Sequence, residues 1–223
     1  MKLIRLLPLL LCISTLQAVP SQPAANLFKT LLGKSEAELD VKLDAAWQSL
    51  FAGDDDSERV YYPVGSDMAY IADVASADVR SEGMSYGLMI AVQQDKQAEF
   101  NRLWKWSKTY MYHASGPRRG YFAWHCKFDG TQIDPGSASD GEEWFAMALL
   151  FASHRWGDGD GIFNYGGEAQ LLLREMIHKR TTDTATAIFN HKEHEVVFAP
   201  SATASKFTDP SYHLPAFYEL WAE

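Results

Sequence analysis

Helical segments that alternate in character constrain the fold of this chain more than any other feature. Residues 83–92 and 144–152 are apolar almost all round, whereas 100–111 and 169–179 are amphipathic. A helix that is apolar on every side must be surrounded by protein, and a helix with a polar stripe lies at the surface. The order inner, outer, inner, outer therefore predicts an all-α fold of stacked helical hairpins.

Turn-rich connections join these segments, and two of them have the pattern of small β-hairpins. Residues 121–127 precede an Asp129-Gly130 turn, and residues 187–190 and 195–198 flank a polar turn. We expect both hairpins to be decorations on a helical body.

The first eighteen residues have the pattern of a secretory signal peptide. Lys2 and Arg5 precede an apolar run over 6–16, and the small residue Ala18 follows it. The run is shorter than the about 20 apolar residues that a membrane-spanning helix needs. We expect cleavage after Ala18 and a secreted or periplasmic protein with no membrane partner after processing. A lipid anchor on Cys12 is the alternative.

After this cleavage, residues 19–35 are expected to be weakly structured and 36–223 to belong to one domain. The first helix of that domain is predicted over 39–51, with Gly53 as its stop.

Signal cleavage removes two cations and leaves 18 basic against 29 acidic residues, a formal net charge of −11. Such a surface repels nucleic acid and favours a neutral partner. A single cysteine, Cys126, remains, which excludes an intramolecular disulfide.

Two acidic residues stand where the apolar helices are predicted to begin. Ser81 is predicted to cap the helix that carries Glu82, and Ser139 to cap the helix that carries Asp140. If the inner helices run parallel, their N-termini converge at one end of the bundle. Both carboxylates are then expected in one shallow basin.

Aromatic residues are predicted to lie near the same basin. Asp209 has the pattern of a third helix cap, with Pro210 at the first helical position and Tyr212 behind it. Tyr121 and Trp124 are further candidates for binding substrate. Carboxylates beside rings are typical of carbohydrate sites, because sugar C–H faces pack on rings and hydroxyls need polar partners. Cleavage of a glycosidic bond needs one protonated carboxylic acid and, in an inverting enzyme, one carboxylate that activates water.

A structural interpretation of both acids stays open. Ser139-Asp140-Gly141-Glu142 has the form of a capping box, and acids are favoured in any first helical turn. A helix N-terminus also stabilises the ionised form of Glu82, whereas a general acid must hold its proton.

Candidate metal sites are weaker. The acidic loop at 158–161 lacks oxygen ligands at the positions that a calcium loop requires, and the pair His191 and His194 is too small a set for zinc. We expect no metal and no cofactor.

Five segments resemble glycoside hydrolase family 8, in the order that the family has them. DVRSEGMSYG at 78–87 resembles the signature around the family's general acid, and SASDGE at 137–142 resembles its second acidic motif. Residues 121–124, 161–165 and 209–218 resemble further family segments. Within the family, the motifs are most similar to those of reducing-end xylose-releasing exo-oligoxylanases.

The resemblance implies an (α/α)6 barrel and an inverting mechanism without metal or cofactor. It implies that Glu82 is the general acid and that Asp140 binds and helps to distort the sugar at the cleavage point. It also implies that Trp124 stacks on a sugar ring and that Tyr212 lines the same cleft. The predicted partner is a xylo-oligosaccharide or a related β-1,4-glycan.

One departure from the family pattern concerns the general base. In this subgroup the base is an aspartate well beyond the 209–218 segment, so we expect it to lie outside this chain. Six or seven helices can be counted where the barrel has twelve, which predicts its N-terminal half to two-thirds. The predicted function is release of xylose from the reducing end of xylo-oligosaccharides. The alternatives are an endo-acting xylanase or β-glucanase of the family, a catalytically inactive sugar-binding fragment, and an enzyme that uses Asp140 as its base.

Overall fold

The computed structural model describes residues 25–55 and 57–222. The predicted signal peptide therefore lies outside the described residues. Within the described part, no helix is both long enough and apolar enough to cross a bilayer. The chain divides into two compact units, Met1–Asp44 and Ala45–Glu223.

The first unit contains a short helix, α1 (Leu27–Leu32), and the beginning of α2 (Glu36–Ala52). The side chain of Asn26 caps α1 by accepting hydrogen bonds from two backbone N–H groups, and Gly33 ends it with φ +63°. The expectation of a weakly structured segment over 19–35 overlooks this helix. Six residues with no buried side chain give too little periodic signal to predict one. The predicted first helix of the domain is confirmed by α2.

Most of the described second unit is built on α3 (Ser81–Gln93), α4 (Gln97–Trp106), α5 (Ser139–Trp156) and α6 (Tyr165–His178), in the predicted inner and outer order. Helix α3 packs against α4 and α5, and α5 packs against α6. A short π-helical stretch continues α4, and a shorter helix, α7 (Pro215–Trp221), follows near the end of the described chain. The all-α prediction is confirmed.

The core between α3 and α5 is closely packed. Met84 and Leu88 of α3 and Phe145 and Leu149 of α5 are fully buried. Helix α3 is not enclosed on every side, however, because a stripe of residues four apart stays exposed. The stripe comprises Glu82, Tyr86 and Ile90.

Among the described residues, three small antiparallel sheets decorate the helical body. They are β1 (Tyr61–Val64) with β2 (Met68–Ile71), β3 (Val79–Arg80) with β4 (His125–Cys126) and β5 (Gln132–Asp134), and β6 (Phe189–Asn190) with β7 (Glu195–Val196). The two predicted hairpins are confirmed by β4 with β5 and by β6 with β7, whereas the hairpin of β1 and β2 is an addition.

The two predicted serine caps are wrong by one position. Ser81 and Ser139 are the first helical residues of α3 and α5, and neither helix has a side-chain cap. Both hydroxyls are buried and have no hydrogen-bond partner among the described residues. A Cβ added at Gly141 would lie 2.6 Å from Oγ of Ser81, so the first turns of the two helices touch. Ser81 packs in this contact, and neither serine reaches back to a backbone N–H group.

The predicted third cap is correct, but the helix behind it is shorter than expected. Asp209 accepts a hydrogen bond from the N–H of Ser211 at 2.9 Å and begins a single 3₁₀ turn, Pro210–Tyr212. Helix α7 starts only at Pro215. Leu214 has φ −117° and ψ 66°, because the residue before a proline is kept out of the α-helical region.

Candidate active site

A cleft of about 340 Å³ opens where α3 and α5 begin. Four of the five site residues predicted from the sequence line it: Glu82, Asp140, Trp124 and Tyr212. The N-termini of the two inner helices therefore converge as predicted, although 58 positions separate the two acids along the chain. The structure adds Arg80 and Phe198 to the lining.

The two carboxylates differ in their surroundings. Glu82 is exposed in the first turn of α3, whereas Asp140 is only 4 % exposed in the first turn of α5. Burial and, to a smaller extent, the negative charge of Glu82 together raise the pKa of Asp140 to about 6, against the opposing effect of backbone hydrogen bonds at the helix start. The hydroxyl of Tyr86 donates a hydrogen bond to Oε1 of Glu82 at 3.3 Å, one turn further along α3. The site thus combines an accessible acid, Glu82, with a buried acid, Asp140, whose pKa is raised in part by the charge of Glu82.

The capping-box interpretation of 139–142 is not supported. Oε1 of Glu142 accepts the N–H of Phe122 at 3.0 Å instead of reaching back to Ser139. Complete burial raises the pKa of Glu142 well above its ordinary value. This contact ties α5 to the segment that carries Trp124.

The backbone on both sides of the cleft holds Trp124 in place. The N–H of Trp124 donates to the carbonyl oxygen of Gly136 at 2.7 Å, and its carbonyl oxygen accepts the N–H of Ser81 at 2.9 Å. The second bond joins the residue before Glu82 to the aromatic wall. The position of the ring relative to α3 is therefore fixed by main-chain contacts.

A charged network supports the same ring. The guanidinium of Arg80 lies 5.7 Å from the centre of the Trp124 ring. Its Nε is 3.2 Å from a carboxylate oxygen of Asp73 and 3.2 Å from one of Asp78. Nε2 of His125 lies 2.7 Å from the other oxygen of Asp78. Because two carboxylates balance the charge of Arg80, the cleft suits a neutral ligand.

Tyr212 closes the opposite side of the cleft. Its ring stacks on Phe198, with centroids 5.3 Å apart and planes 13° apart. Burial and the charges of Asp140 and Glu82 raise the pKa of Tyr212 to about 12. The hydroxyl therefore stays protonated near neutral pH and is able to donate a hydrogen bond.

Tyr121, the fifth site residue predicted from the sequence, does not line the cleft. Its side chain is fully buried, and its hydroxyl donates to the carbonyl oxygens of Glu175 at 3.1 Å and Thr186 at 3.0 Å. The nitrogen of Lys179 lies 4.3 Å from the centre of its ring. Tyr121 and Trp124 are three residues apart in an irregular segment, so their side chains point to different sides. Tyr121 joins this segment to α6 and does not reach the cleft.

A third buried acid lies behind the cleft. Glu143 in α5 accepts a hydrogen bond from the hydroxyl of Tyr218 at 2.8 Å, and its Oε1 has no partner among the described residues. Burial raises the pKa of Glu143 to about 8, although the hydrogen bond from Tyr218 opposes the shift. In the pH range between the ordinary pKa of a glutamate and this raised value, the folded protein holds a proton that the unfolded chain releases. The contribution of this proton to the free energy of unfolding therefore falls between these two pKa values and is gone above about pH 8.

We expect Glu143→Gln to flatten this pH dependence. The ionisation of Glu143 should lower the free energy of unfolding of the parent protein by about 2 kcal/mol from about pH 6.5 to about pH 9, since each pH unit below its raised pKa contributes about 1.4 kcal/mol. The glutamine keeps the shape and cannot ionise, so the decline of the variant should be smaller than that of the parent by this amount. Urea denaturation across this range measures the difference. Equal declines in the two proteins would contradict the raised pKa of Glu143.

The geometry supports acid catalysis on a neutral, ring-shaped substrate. It offers an exposed carboxyl group, a buried carboxyl group, an indole face and a phenol around one cleft. Across residues 25–55 and 57–222, no three His, Cys, Asp or Glu side chains are grouped so that they could hold a metal ion.

Comparisons with known proteins agree on one family. The model of the family described as "Glycosyl hydrolases family 8" matches residues 40–223. The reducing-end xylose-releasing exo-oligoxylanase Rex8A of Paenibacillus barcinonensis is 49% identical over 89% of this chain and 51% of its own length. A reducing end xylose-releasing exo-oligoxylanase of Halalkalibacterium halodurans is 47% identical over 88% of this chain and 50% of its own length. Endoglucanase A of Acetivibrio thermocellus is a more distant relative, at 32% identity over 87% of this chain and 38% of its own length.

Solved structures show the same relationship. The structure of Rex8A complexed with xylose has a TM-score of 0.83 and 49% identity, and the match covers 89% of this chain and 51% of that one. The predicted (α/α)6 barrel class is thereby confirmed. The chain spans about half the length of the curated relatives that it matches.

Proposed function

Because this chain belongs to glycoside hydrolase family 8, we propose that its protein hydrolyses xylo-oligosaccharides with inversion and releases xylose from the reducing end. The observation that carries the proposal is the meeting of two first helical turns, which places Glu82 and Asp140 in one cleft beside Trp124. The preference for xylose is supported by the exo-oligoxylanases among the relatives with the higher identities.

In this proposal Glu82 donates a proton to the oxygen of the leaving sugar. Its exposure at the cleft lets the glycosidic oxygen reach it, and the hydroxyl of Tyr86 holds one of its two oxygens. As the proton moves to the bridging oxygen, the C–O bond breaks and positive charge develops on the sugar ring.

Asp140 is proposed to bind the sugar that develops this charge. Its buried carboxylate accepts hydrogen bonds from ring hydroxyls and stabilises the positive charge in a setting with little water. Trp124 supplies a face for the C–H groups of a sugar ring, and Tyr212 donates a hydrogen bond from the facing wall. An inverting reaction also needs a carboxylate that activates water. No residue of this chain is assigned to that step.

The proposed substrate class is tested by replacing the indole. Trp124→Ala is expected to weaken binding of xylotriose roughly 10- to 100-fold, because it removes most of the apolar area on which a sugar ring packs. Trp124→Phe keeps an aromatic face and should recover part of the loss. Isothermal titration in a Glu82→Gln background measures binding without hydrolysis. Equal affinity of the parent and Trp124→Ala would contradict the proposal.

Endo-acting hydrolysis of xylan or β-glucan is the second candidate function, because endoglucanases are among the relatives. The sizes of the first products from xylohexaose distinguish endo action from exo action.

We also propose export through the 1–18 signal peptide to the periplasm or the medium, which is supported by the sequence pattern alone. N-terminal sequencing of the exported protein tests it, with residue 19 as the expected first residue.

A further inference from the structure

A second cavity, with a volume of about 470 Å³, has no part in the proposed reaction. Its walls come from residues 55 and 57–60, from the β1 and β2 hairpin, from the turn at 72–77 and from the turn between β4 and β5. We call it the aromatic groove and define it by Arg59, Tyr62, Tyr70, Val74, Ala77 and Phe128.

Three rings form the apolar part of the aromatic groove. The centroids of Tyr62 and Tyr70 are 5.7 Å apart with planes 23° apart, and those of Tyr70 and Phe128 are 5.0 Å apart with planes 12° apart. Tyr70 also packs against the buried ring of Trp106, at 5.9 Å. Phe128 is 39 % exposed in a hairpin turn, where the core does not require an aromatic residue. The rings thus form a surface that is anchored to the core and open to solvent.

Polar groups of both signs border these rings. The guanidinium of Arg59 lies 4.7 Å from the centre of the Tyr62 ring and forms an ion pair with Asp55. Nε of Arg59 is buried and has no hydrogen-bond partner among the described residues. Ser57 and Glu58 complete the rim. Because two carboxylates, Asp55 and Glu58, more than offset the charge of Arg59, the rim suits a neutral ligand rich in hydroxyl groups rather than an anion.

The aromatic groove and the active-site cleft share one turn of the chain. Val74 and Ala77 line the groove, whereas Asp73 and Asp78 from the same turn hold Arg80 at the cleft. Ala77 and Arg80 are three residues apart, so at most about 10 Å of backbone separates them. A ligand held in the groove is therefore kept close to the cleft, which raises its effective concentration there.

We propose that the aromatic groove is a second glycan-binding site, which holds a neutral β-1,4-linked xylan chain beside the active-site cleft. The choice of xylan rests on the proposed function, whereas the choice of a neutral glycan rests on the rings and on the rim of the groove itself, which has no excess of positive charge. Sugar rings pack their C–H faces on aromatic side chains, and the rim carboxylates of Asp55 and Glu58 can accept hydrogen bonds from sugar hydroxyls.

The test titrates xylohexaose into the isotope-labelled full gene product carrying Glu82→Gln, which slows hydrolysis. Backbone amide signals of Tyr70, Val74 and Ala77 report on the groove, and that of Trp124 reports on the cleft. We expect both sets to shift. Phe128→Ala should lower the affinity for xylohexaose that is fitted from the groove signals about tenfold, because one exposed ring is lost.

Ile133→Ala is the matched control, since Ile133 is exposed on the same β4 and β5 hairpin but does not line the groove. It should leave the affinities fitted from the groove signals and from the cleft signal equal to those of the parent. The proposal is overturned if xylohexaose does not shift the groove signals, or if Phe128→Ala shifts them with the affinity of the parent.

The experiments distinguish failure of the proposed function from failure of the proposed second binding site. Hydrolysis that persists in Glu82→Gln would reject the proposed reaction, while a response of the groove that depends on Phe128 would still support the second site. Conversely, loss of hydrolysis in Glu82→Gln without any shift at the groove rejects the groove alone.

Discussion

Glu82→Gln is expected to lower kcat for xylotriose hydrolysis roughly 10²- to 10⁴-fold, the usual contribution of a general acid. The glutamine keeps the size and one oxygen of the side chain but has no acidic proton for the leaving sugar. Because Glu82 is exposed and does not pack in the core, the fold and the binding of substrate should change little. Initial rates of xylose release by the full gene product, with KM determined in parallel, measure this effect.

Glu99→Gln is the matched control for this substitution. Glu99 occupies the first turn of α4, as Glu82 does in α3, but it lies outside the cleft. It should retain the kcat of the parent. A Glu82→Gln enzyme within a few-fold of the parent would remove Glu82 from the role of proton donor.

Asp140→Asn is expected to lower kcat about 10²- to 10³-fold. It removes a buried negative charge and a hydrogen-bond acceptor from the place where positive charge develops, and such preorganised groups typically contribute factors of this size. The amide has nearly the same shape as the carboxylate, so the contact between the first turns of α3 and α5 should survive. Circular dichroism and thermal unfolding verify that it does.

The pH dependence distinguishes this role of Asp140 from a merely structural one. The pKa of Asp140 is raised to about 6, so its carboxylate is lost as pH falls through that value. Activity of the parent should therefore decline below about pH 6 as this acceptor is protonated. In Asp140→Asn the part of the decline below about pH 6 that comes from protonation of Asp140 should be absent. A variant that keeps both the rate and the acid limb of the parent would contradict the assignment.

The helical framework could be predicted because its signal is local and repeated. Residues 83–92 and 144–152 are apolar on nearly every side, and the structure places them in the packed centre as α3 and α5. Once those helices run in the same direction, their first turns must meet. The shared position of Glu82 and Asp140 follows from that geometry, without knowledge of any side-chain contact.

What could not be predicted depends on contacts between distant segments. Ser81 and Ser139 have the residue type of helix caps, but packing against the neighbouring helix decides where their side chains point. Tyr121 and Trp124 look equivalent in the sequence, yet hydrogen bonds to Glu175 and Thr186 hold Tyr121 inside the protein.

The support of Arg80 by Asp73 and Asp78 also lay beyond prediction. It depends on the turn at 73–78 and on the pairing of β3 with β4, which joins residues nearly 50 positions apart. Arg80 itself lies within the 78–87 motif, so the sequence shows that it is close to Glu82. The sequence does not show that its guanidinium lies over the Trp124 ring.

The anomeric form of the first products is the most direct test of Glu82 as the acid of an inverting, xylose-releasing enzyme. Proton NMR follows xylotriose during incubation with the full gene product and with its Glu82→Gln variant. We expect the parent to yield xylose together with xylobiose that first appears as the α anomer, and the variant to yield neither at a comparable rate. Xylobiose that first appears as the β anomer, or undiminished release by the variant, would contradict this assignment.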